Sequence, residues 1–262
     1  MTHIQKDFKN GQKIIFSDFK SLHKLEIDTN GKHDMAGEVD CNRDIEKKNF
    51  PVGIKPCFSY NITGFVRKSD DKFLVVERDA NCIWELSFNY RLGETTDFSG
   101  LCNHTGGFKD GRGKRALYNK PHSIIKGENG AFYVTDFGNH ALRKISSDSK
   151  EVSTIVNNTA IMENPRGLTL HKGKVYIAAR NYVVVVPTSC SRNCGYRLDV
   201  RAAEQPSTRT SNLQETFCVL YDISVMNDNS LVVIDRGSND ELKLIDLSTN
   251  TSRPFPLGFS EY

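Results

Sequence analysis

Residues 130–145 read GAFYVTDFGNHALRKI: an apolar strand, a polar turn, then a second apolar strand. The same phrase returns along the chain. It stands at 12–27 as QKIIFSDFKSLHKLEI, at 72–86 as KFLVVERDANCIWEL, at 174–186 as KVYIAARNYVVVV and at 230–245 as SLVVIDRGSNDELKLI. Recurrence at a period of a few tens of residues marks an array of supersecondary units, because one such unit cannot bury its faces alone. This reading decides architecture far more than function, since repeat scaffolds host binding sites and enzymes alike.

Each unit extends by pattern. Around the first phrase, a short strand Ser123-Ile-Ile-Lys126 leads into the turn Gly127-Glu-Asn-Gly130, and a fourth strand is expected at Val152–Val156. Gly, Asn, Asp and Ser punctuate each junction, where positive φ or local side-chain capping is wanted. Four strands per unit give an all-β fold, the blade of a β-propeller, which hides its edges by radial closure. Further blades are expected at about 2–40, 58–100, 164–200 and 217–258, five in all. The matched positions Asp18, Glu77, Asp136, Ala178 and Asp235 lie 59, 59, 42 and 57 residues apart. A blade needs fewer than the longer spacings, so cysteine-bearing insertions are expected at about 40–56 and 187–216. The second is polar and reads as an excursion from the disc. The whole chain, 1–262, reads as one domain.

Composition narrows the partners. With 38% hydrophobic and 26% charged residues the chain is an ordinary globular protein. A net charge of +3 is too small to argue for nucleic acid, and no aromatics for base stacking can be picked out. The longest apolar run, Tyr182–Pro187, is strand-sized, so no transmembrane helix is expected. The opening Met1-Thr-His-Ile-Gln-Lys-Asp7 lacks a secretory apolar core. Seven cysteines and four Asn-x-Ser/Thr sequons nonetheless favour an oxidising, extracellular compartment, with a start upstream of residue 1 or a non-classical route. The alternative is cytoplasmic. No CxxC pair or HExxH helix offers zinc, and no GxSxG, P-loop or GxGxxG nominates other chemistry.

One stretch carries a family resemblance. Gly106-Gly-Phe-Lys-Asp-Gly-Arg-Gly113, Ala116-Leu-Tyr118, Pro121-His-Ser-Ile124, Tyr133-Val-Thr-Asp136 and Asn139-His-Ala-Leu-Arg-Lys-Ile145 resemble the NHL repeat. That pattern is a Gly-Asp-Gly linker, Ala-x-Phe, Pro-x-Gly-Ile, a Tyr-Val-Ala-Asp strand and Asn-His-Arg-Ile-Arg. The likeness is clear again at 12–28 and 164–180 and weaker at 72–86 and 230–246. Blade four departs from it, with Ala178-Ala-Arg-Asn181 where Asp and His are usual. NHL-type rings usually have six blades, so with five visible an incomplete ring is expected.

The resemblance implies that inner strands line a central channel whose mouth is formed by loops at one end. His122 stands at such an opening. NHL-like peptidyl-hydroxyglycine α-amidating lyases use a Pro-His-Ser opening for one of three zinc histidines, which would make His122 a metal ligand with His3 two blades earlier and Asp222 two blades later. Three protein ligands and an open position make the usual catalytic zinc site. Only two histidines stand at matching openings, so a polar channel-edge histidine is the preferred reading. Asp18, Asp136 and Asp235 end their second strands, and a ring of carboxylates would suit calcium, as in gluconolactonase-like propellers. The preferred reading is local, an acceptor for the turn's own N–H groups. Asn139 and His140 belong to the same turn, and Arg166 at the opening of blade four completes the partner-binding candidates. Gly111-Arg-Gly-Lys-Arg115 reads as a solvated linker rather than a processing site or anion contact.

Cys82 and Cys102 flank one loop and are expected to bridge, and Cys41 with Cys57 would close the first insertion. Cys190, Cys194 and Cys218 leave one thiol over. The glycosylation candidates are Asn61, Asn103, Asn157 and Asn250. The sequence therefore points to an extracellular scaffold for a protein or peptide, with no cofactor and no membrane span. The rival is a metal-dependent propeller enzyme using zinc or calcium, and the third reading is a cytosolic module for RNA or protein.

Overall fold

Segments rich in Val, Ile, Phe and Tyr, bounded by Gly, Asn and Asp, fold as strands throughout the computed structural model. It describes the backbone of residues 3–7, 12–17, 22–27, 33–39, 61–89, 92–102, 105–203, 217–237 and 240–256, and the side chains of those outside 3–39, 88–89 and 92–94. The chain divides into two compact units, Met1–Asn139 with Arg143–Ser153, and His140–Leu142 with Thr154–Tyr262.

The first unit holds two four-stranded antiparallel sheets and most of a third. Sheet one runs β1 (His3–Asp7), β2 (Gln12–Ser17), β3 (Leu22–Ile27), β4 (His33–Val39). Sheet two runs β5 (Ile62–Ser69), β6 (Lys72–Glu77), β7 (Cys82–Asn89), β8 (Leu92–Ser99). Sheet three has β10 (Pro121–Lys126), β11 (Phe132–Asp136), β12 (Ala141–Ile145) and β13 (Glu151–Val156), with the linker strand β9 (Gly111–Arg112) added to its outer edge. The second unit holds sheet four, with β14 (Pro165–His171), β15 (Lys174–Ala179), β16 (Tyr182–Pro187) and β17 (Tyr196–Arg197). Sheet five is β19 (Leu220–Asn227), β20 (Ser230–Arg236), β21 (Asp240–Asp246) and β22 (Thr251–Pro254). Its outer edge takes β18 (Arg201–Ala202) in parallel.

The second strands of sheets two, three and four are buried on both faces, whereas β20 of sheet five alternates. β11 is buried at every position, and β6 and β15 at all but the first. Such strands read as continuous apolar runs rather than alternations. Ile62, Phe65, Val75 and Trp84 centre one core cluster of the first unit, and Leu74, Ile83, Phe98, Tyr118 and Val134 another. Tyr176, Val185, Phe217, Leu231 and Ile245 centre that of the second unit.

Two features refine the pattern read from sequence. Pro121 pairs with Asp136, Leu220 with Asp235 and Pro165 with Ala179, so Ala179 rather than Ala178 holds the matched position in sheet four. The turn there is shorter: Ala179 pairs with Tyr182, whereas Glu77 pairs with Cys82 in sheet two. The segment after β16 is also built into the sheets as far as residue 202: β17 completes sheet four, Cys190–Cys194 is bridged (Cα–Cα 5.8 Å), and Leu198 and Val200 pack on the core. Cys82–Cys102 is bridged as expected (Cα–Cα 5.0 Å) and Cys218 is an exposed thiol. Cys41, Cys57, Asn103 and Asp18 lie outside the described residues. Among the described residues no helix is long and apolar enough to cross a membrane.

Candidate functional site

Inner strands of sheets two to five open on a β-bulge. The register breaks between Ile62 and Gly64, Pro121 and Ser123, Pro165 and Leu168, and Leu220 and Asp222. A bulge re-aims the extra residue's side chain. The residues so placed are Thr63 and His122 in the first unit, Arg166 and Tyr221 in the second. Two of them reach the next inner strand the same way. Thr63 Oγ1 donates to Pro121 O at 3.4 Å, and Arg166 Nη1 to Leu220 O at 3.4 Å. His122 is buried, its ring 6.5 Å from that of Phe137. The Arg236 guanidinium stands 4.8 Å over the Tyr221 ring. β1 pairs regularly from His3↔Ser17 to Asp7↔Lys13 with no bulge, so His3 does not take the bulged place of His122.

Directly after the bulge the inner strands approach closely. A Cβ added to Gly64 would lie 3.0 Å from Ser123 Cα, and one added to Gly167 would lie 2.0 Å from Asp222 Oδ1. Asp222 Oδ1 itself accepts from Ile223 N–H at 2.9 Å. Among the described residues no three His, Cys, Asp or Glu side chains group as a metal-holding set.

Beneath the bulges a diagonal acid–donor pair recurs. Trp84 pairs across the sheet with Val75, two residues before Glu77, and its indole N–H donates to the Glu77 carboxylate. Lys243 pairs with Val233, two residues before Asp235, and its ammonium lies 2.7 Å from Asp235 Oδ2. The Arg143 guanidinium likewise lies 2.8 Å from Asp136 Oδ2, both side chains 0% exposed. Diagonal cross-strand partners are within reach of long side chains. In sheet four the same diagonal holds Ala179 and Val184, both buried, which is why blade four departs from the sequence pattern.

In sheets three and five the pair ties the sheet to its preceding linker. Asp136 Oδ1 accepts from Asn119 N–H at 2.8 Å, and its Oδ2 from Asn139 Nδ2 at 2.8 Å. Asn139 also donates to Gly107 O at 2.8 Å. Arg143 donates to Leu117 O at 3.0 Å, Lys109 O at 2.8 Å and Asp110 Oδ1 at 2.8 Å. The donors to Asp136 thus come from the linker, Asn139 and the next strand. In sheet five, Asp235 Oδ1 accepts from Cys218 and Val219 N–H at 2.9 and 3.0 Å. In sheets three and five the cation of the pair lies over an aromatic three residues before the first strand, Arg143 at 5.2 Å from Tyr118 and Lys243 at 5.6 Å from Phe217. Burial pushes the Asp136 carboxyl above the usual carboxylate range, against the pull of Asn139, the Asn119 N–H and Arg143. His140 Nδ1 accepts from Asn164 N–H at 3.1 Å, so its ring serves the loop ahead of β14.

Lys243 is less enclosed than Arg143, at 19% exposure, and Asp235 keeps two backbone donors without it. Lys243→Met is therefore expected to cost only about 1–2 kcal/mol, read as a lowered urea midpoint with unchanged m-value.

The second unit carries an open cleft of about 400 Å³ lined by Glu163, Arg180, Asn181, Tyr182, Arg197 and Phe217. Arg180 pairs with Glu163 at 2.9 Å and holds its carboxyl below the usual carboxylate range. The Arg197 guanidinium stacks 3.9 Å from the Tyr182 ring centroid and donates to Ile161 O at 3.3 Å and Thr159 O at 3.4 Å. Sequence reasoning missed these residues, because Arg197 falls in the segment read as an excursion. Arg143 and Lys243 were legible in principle: like Trp84, each lies two or three positions into the third strand.

Together, four-stranded antiparallel sheets of this kind define a β-propeller-type protein. Solved structures of that type align over nearly the whole chain. Virginiamycin B lyase from Staphylococcus aureus gives a TM-score of 0.55 at 14% identity, covering 98% of this chain and 84% of its own. A streptogramin B lyase gives 0.54 at 14% identity, with 96% and 81% covered. The extracellular domain of BT4673 from B. thetaiotaomicron gives 0.57 at 13% identity, with 98% and 30% covered. At these identities the likeness is one of fold. No family model matches the chain, and no curated protein matches it.

Proposed function

We propose that the protein is an extracellular NHL-type propeller scaffold that binds a protein or peptide segment, with the Arg180–Tyr182–Arg197 cleft as a contact surface. One observation carries this reading: the frame repeats while its display varies. The acid–donor pair recurs in sheets two, three and five, whereas the bulged position holds Thr63, His122, Arg166 or Tyr221 in turn. A metal ring would repeat its ligands, and a recognition surface diversifies them. The carboxylates that would have served such a ring, Asp136 and Asp235, already accept three hydrogen bonds each from the protein. Stacked Arg and Tyr side chains are the residues that anchor protein contacts. Two bridged cysteine pairs support an oxidising compartment.

The test is selection of binding peptides from a displayed library, repeated with Arg197→Ala and Tyr182→Ala. Peptides that bind the native protein are expected to lose about tenfold in affinity or more, ~1.4 kcal/mol. Equal binding by both variants would remove the cleft from the contact surface. Stoichiometric zinc or calcium that disappears in His122→Ala or Asp136→Ala would replace the scaffold with a metal enzyme.

A further inference from the structure

The sequons are alike in sequence and unlike in surroundings. Asn157-Asn158-Thr159 follows the end of β13, and all three residues are exposed. Its shape is fixed by bonds that leave the acceptor amide out. Asn157 N–H donates to Asn193 Oδ1 at 3.0 Å, Ala160 N–H to Asn158 Oδ1 at 2.9 Å, and Thr159 O accepts from Arg197 at 3.4 Å. These use main-chain atoms of residues 157 and 159, not the Asn157 amide or the Thr159 hydroxyl. Asn61-Ile62-Thr63 is the opposite case. The Asn61 Oδ1 atom is buried, Ile62 is a core residue, and Thr63 Oγ1 is turned to Pro121 O at 3.4 Å. An N-linked glycan is bulky and hydrated and needs an amide that projects from a surface loop.

We infer that Asn157 carries an N-linked glycan and that Asn61 does not. The step joins the Asn157 side-chain nitrogen to the anomeric carbon of an oligosaccharide. The nitrogen gives up one proton, and the bond from that carbon to the diphosphate of a lipid-linked donor breaks, the diphosphate leaving on the lipid. The inference rests on the extracellular reading, because this donor acts in the secretory lumen.

The protein secreted by a eukaryotic host is digested, treated with peptide N-glycosidase in heavy-oxygen water and mapped by mass spectrometry. Asn157 is expected to be converted to labelled aspartate and Asn61 to stay unlabelled. Asn157→Gln and Thr159→Ala are each expected to lower the intact mass by one glycan, while Thr159→Ser keeps it. An unmodified Asn157 in protein whose Cys82 and Cys102 are bridged overturns the inference and leaves the extracellular reading standing. An unmodified Asn157 with both cysteines recovered as thiols overturns the two together. A glycan on Asn61 overturns the contrast between the sites.

Discussion

Gly167→Ala is expected to destabilise the second unit by about 3 kcal/mol or more, the upper range for overpacking. The added methyl would lie 2.0 Å from Asp222 Oδ1 and 2.6 Å from Asp222 Cα. A side chain can swing away, but the Cα belongs to β19, whose pairing with β20 runs from Leu220 to Asn227. The clash therefore falls on backbone that two strands hold in place. The predicted loss is on the order of 10 °C in Tm. Asp222→Ala in the same chain should restore only part of it, since the contact with Cα remains. Gly64→Ala, at the matching position of sheet two, should cost less, because its nearest neighbour lies at 3.0 Å. Equal melting of Gly167→Ala and the native protein would refute the close approach of β14 and β19.

Arg143→Met is expected to cost about 3–5 kcal/mol, the range for breaking a buried ion pair from one side. It removes four hydrogen bonds and leaves the fully buried Asp136 facing Asn119 and Asn139 alone. The pH dependence has a definite sign. Burial already raises the Asp136 carboxyl in the folded state, and losing the guanidinium raises it further. A raised folded-state pKa means that ionisation favours the unfolded chain. The penalty is absent below the unfolded carboxyl pKa and grows as pH rises through the folded one. The deficit of Arg143→Met relative to native protein should thus shrink towards acid, measured as urea midpoints across pH. The double variant Asp136→Ala, Arg143→Met should be more stable than Arg143→Met alone, since it removes the stranded charge. A deficit independent of pH would mean that Asp136 gains no proton in the variant.

The strands were legible because their apolar runs and turn residues agree, and β6, β11 and β15 most of all, being buried on both faces. The bulges were not, since the extra residue in Pro121-His122-Ser123 looks like ordinary strand. One slip followed from this: Ala178 was matched to Asp136, where a bulge at Arg166-Gly167 and a short turn at Arg180-Asn181 put Ala179 instead. Asp136 and Asn139 were legible as a turn constellation, but their partners in the linker, Asn119 and Gly107, lie 17 and 32 residues back, beyond the reach of local pattern. The cleft was illegible for a different reason. Arg197 meets Tyr182 only because a two-residue strand folds back on β16, and two residues carry no periodicity.

The linker strand β9 closes the outer edge of sheet three, and the same linker is gripped from inside by Asp136, Asn139 and Arg143. Blade three is therefore indivisible from the segment that precedes it. Anyone who duplicates, transplants or deletes this blade must cut before residue 105 and after residue 156. A cut placed at the start of β10, where the strands alone suggest the boundary, would leave an orphaned arginine in one fragment and an unpaired sheet edge in the same piece.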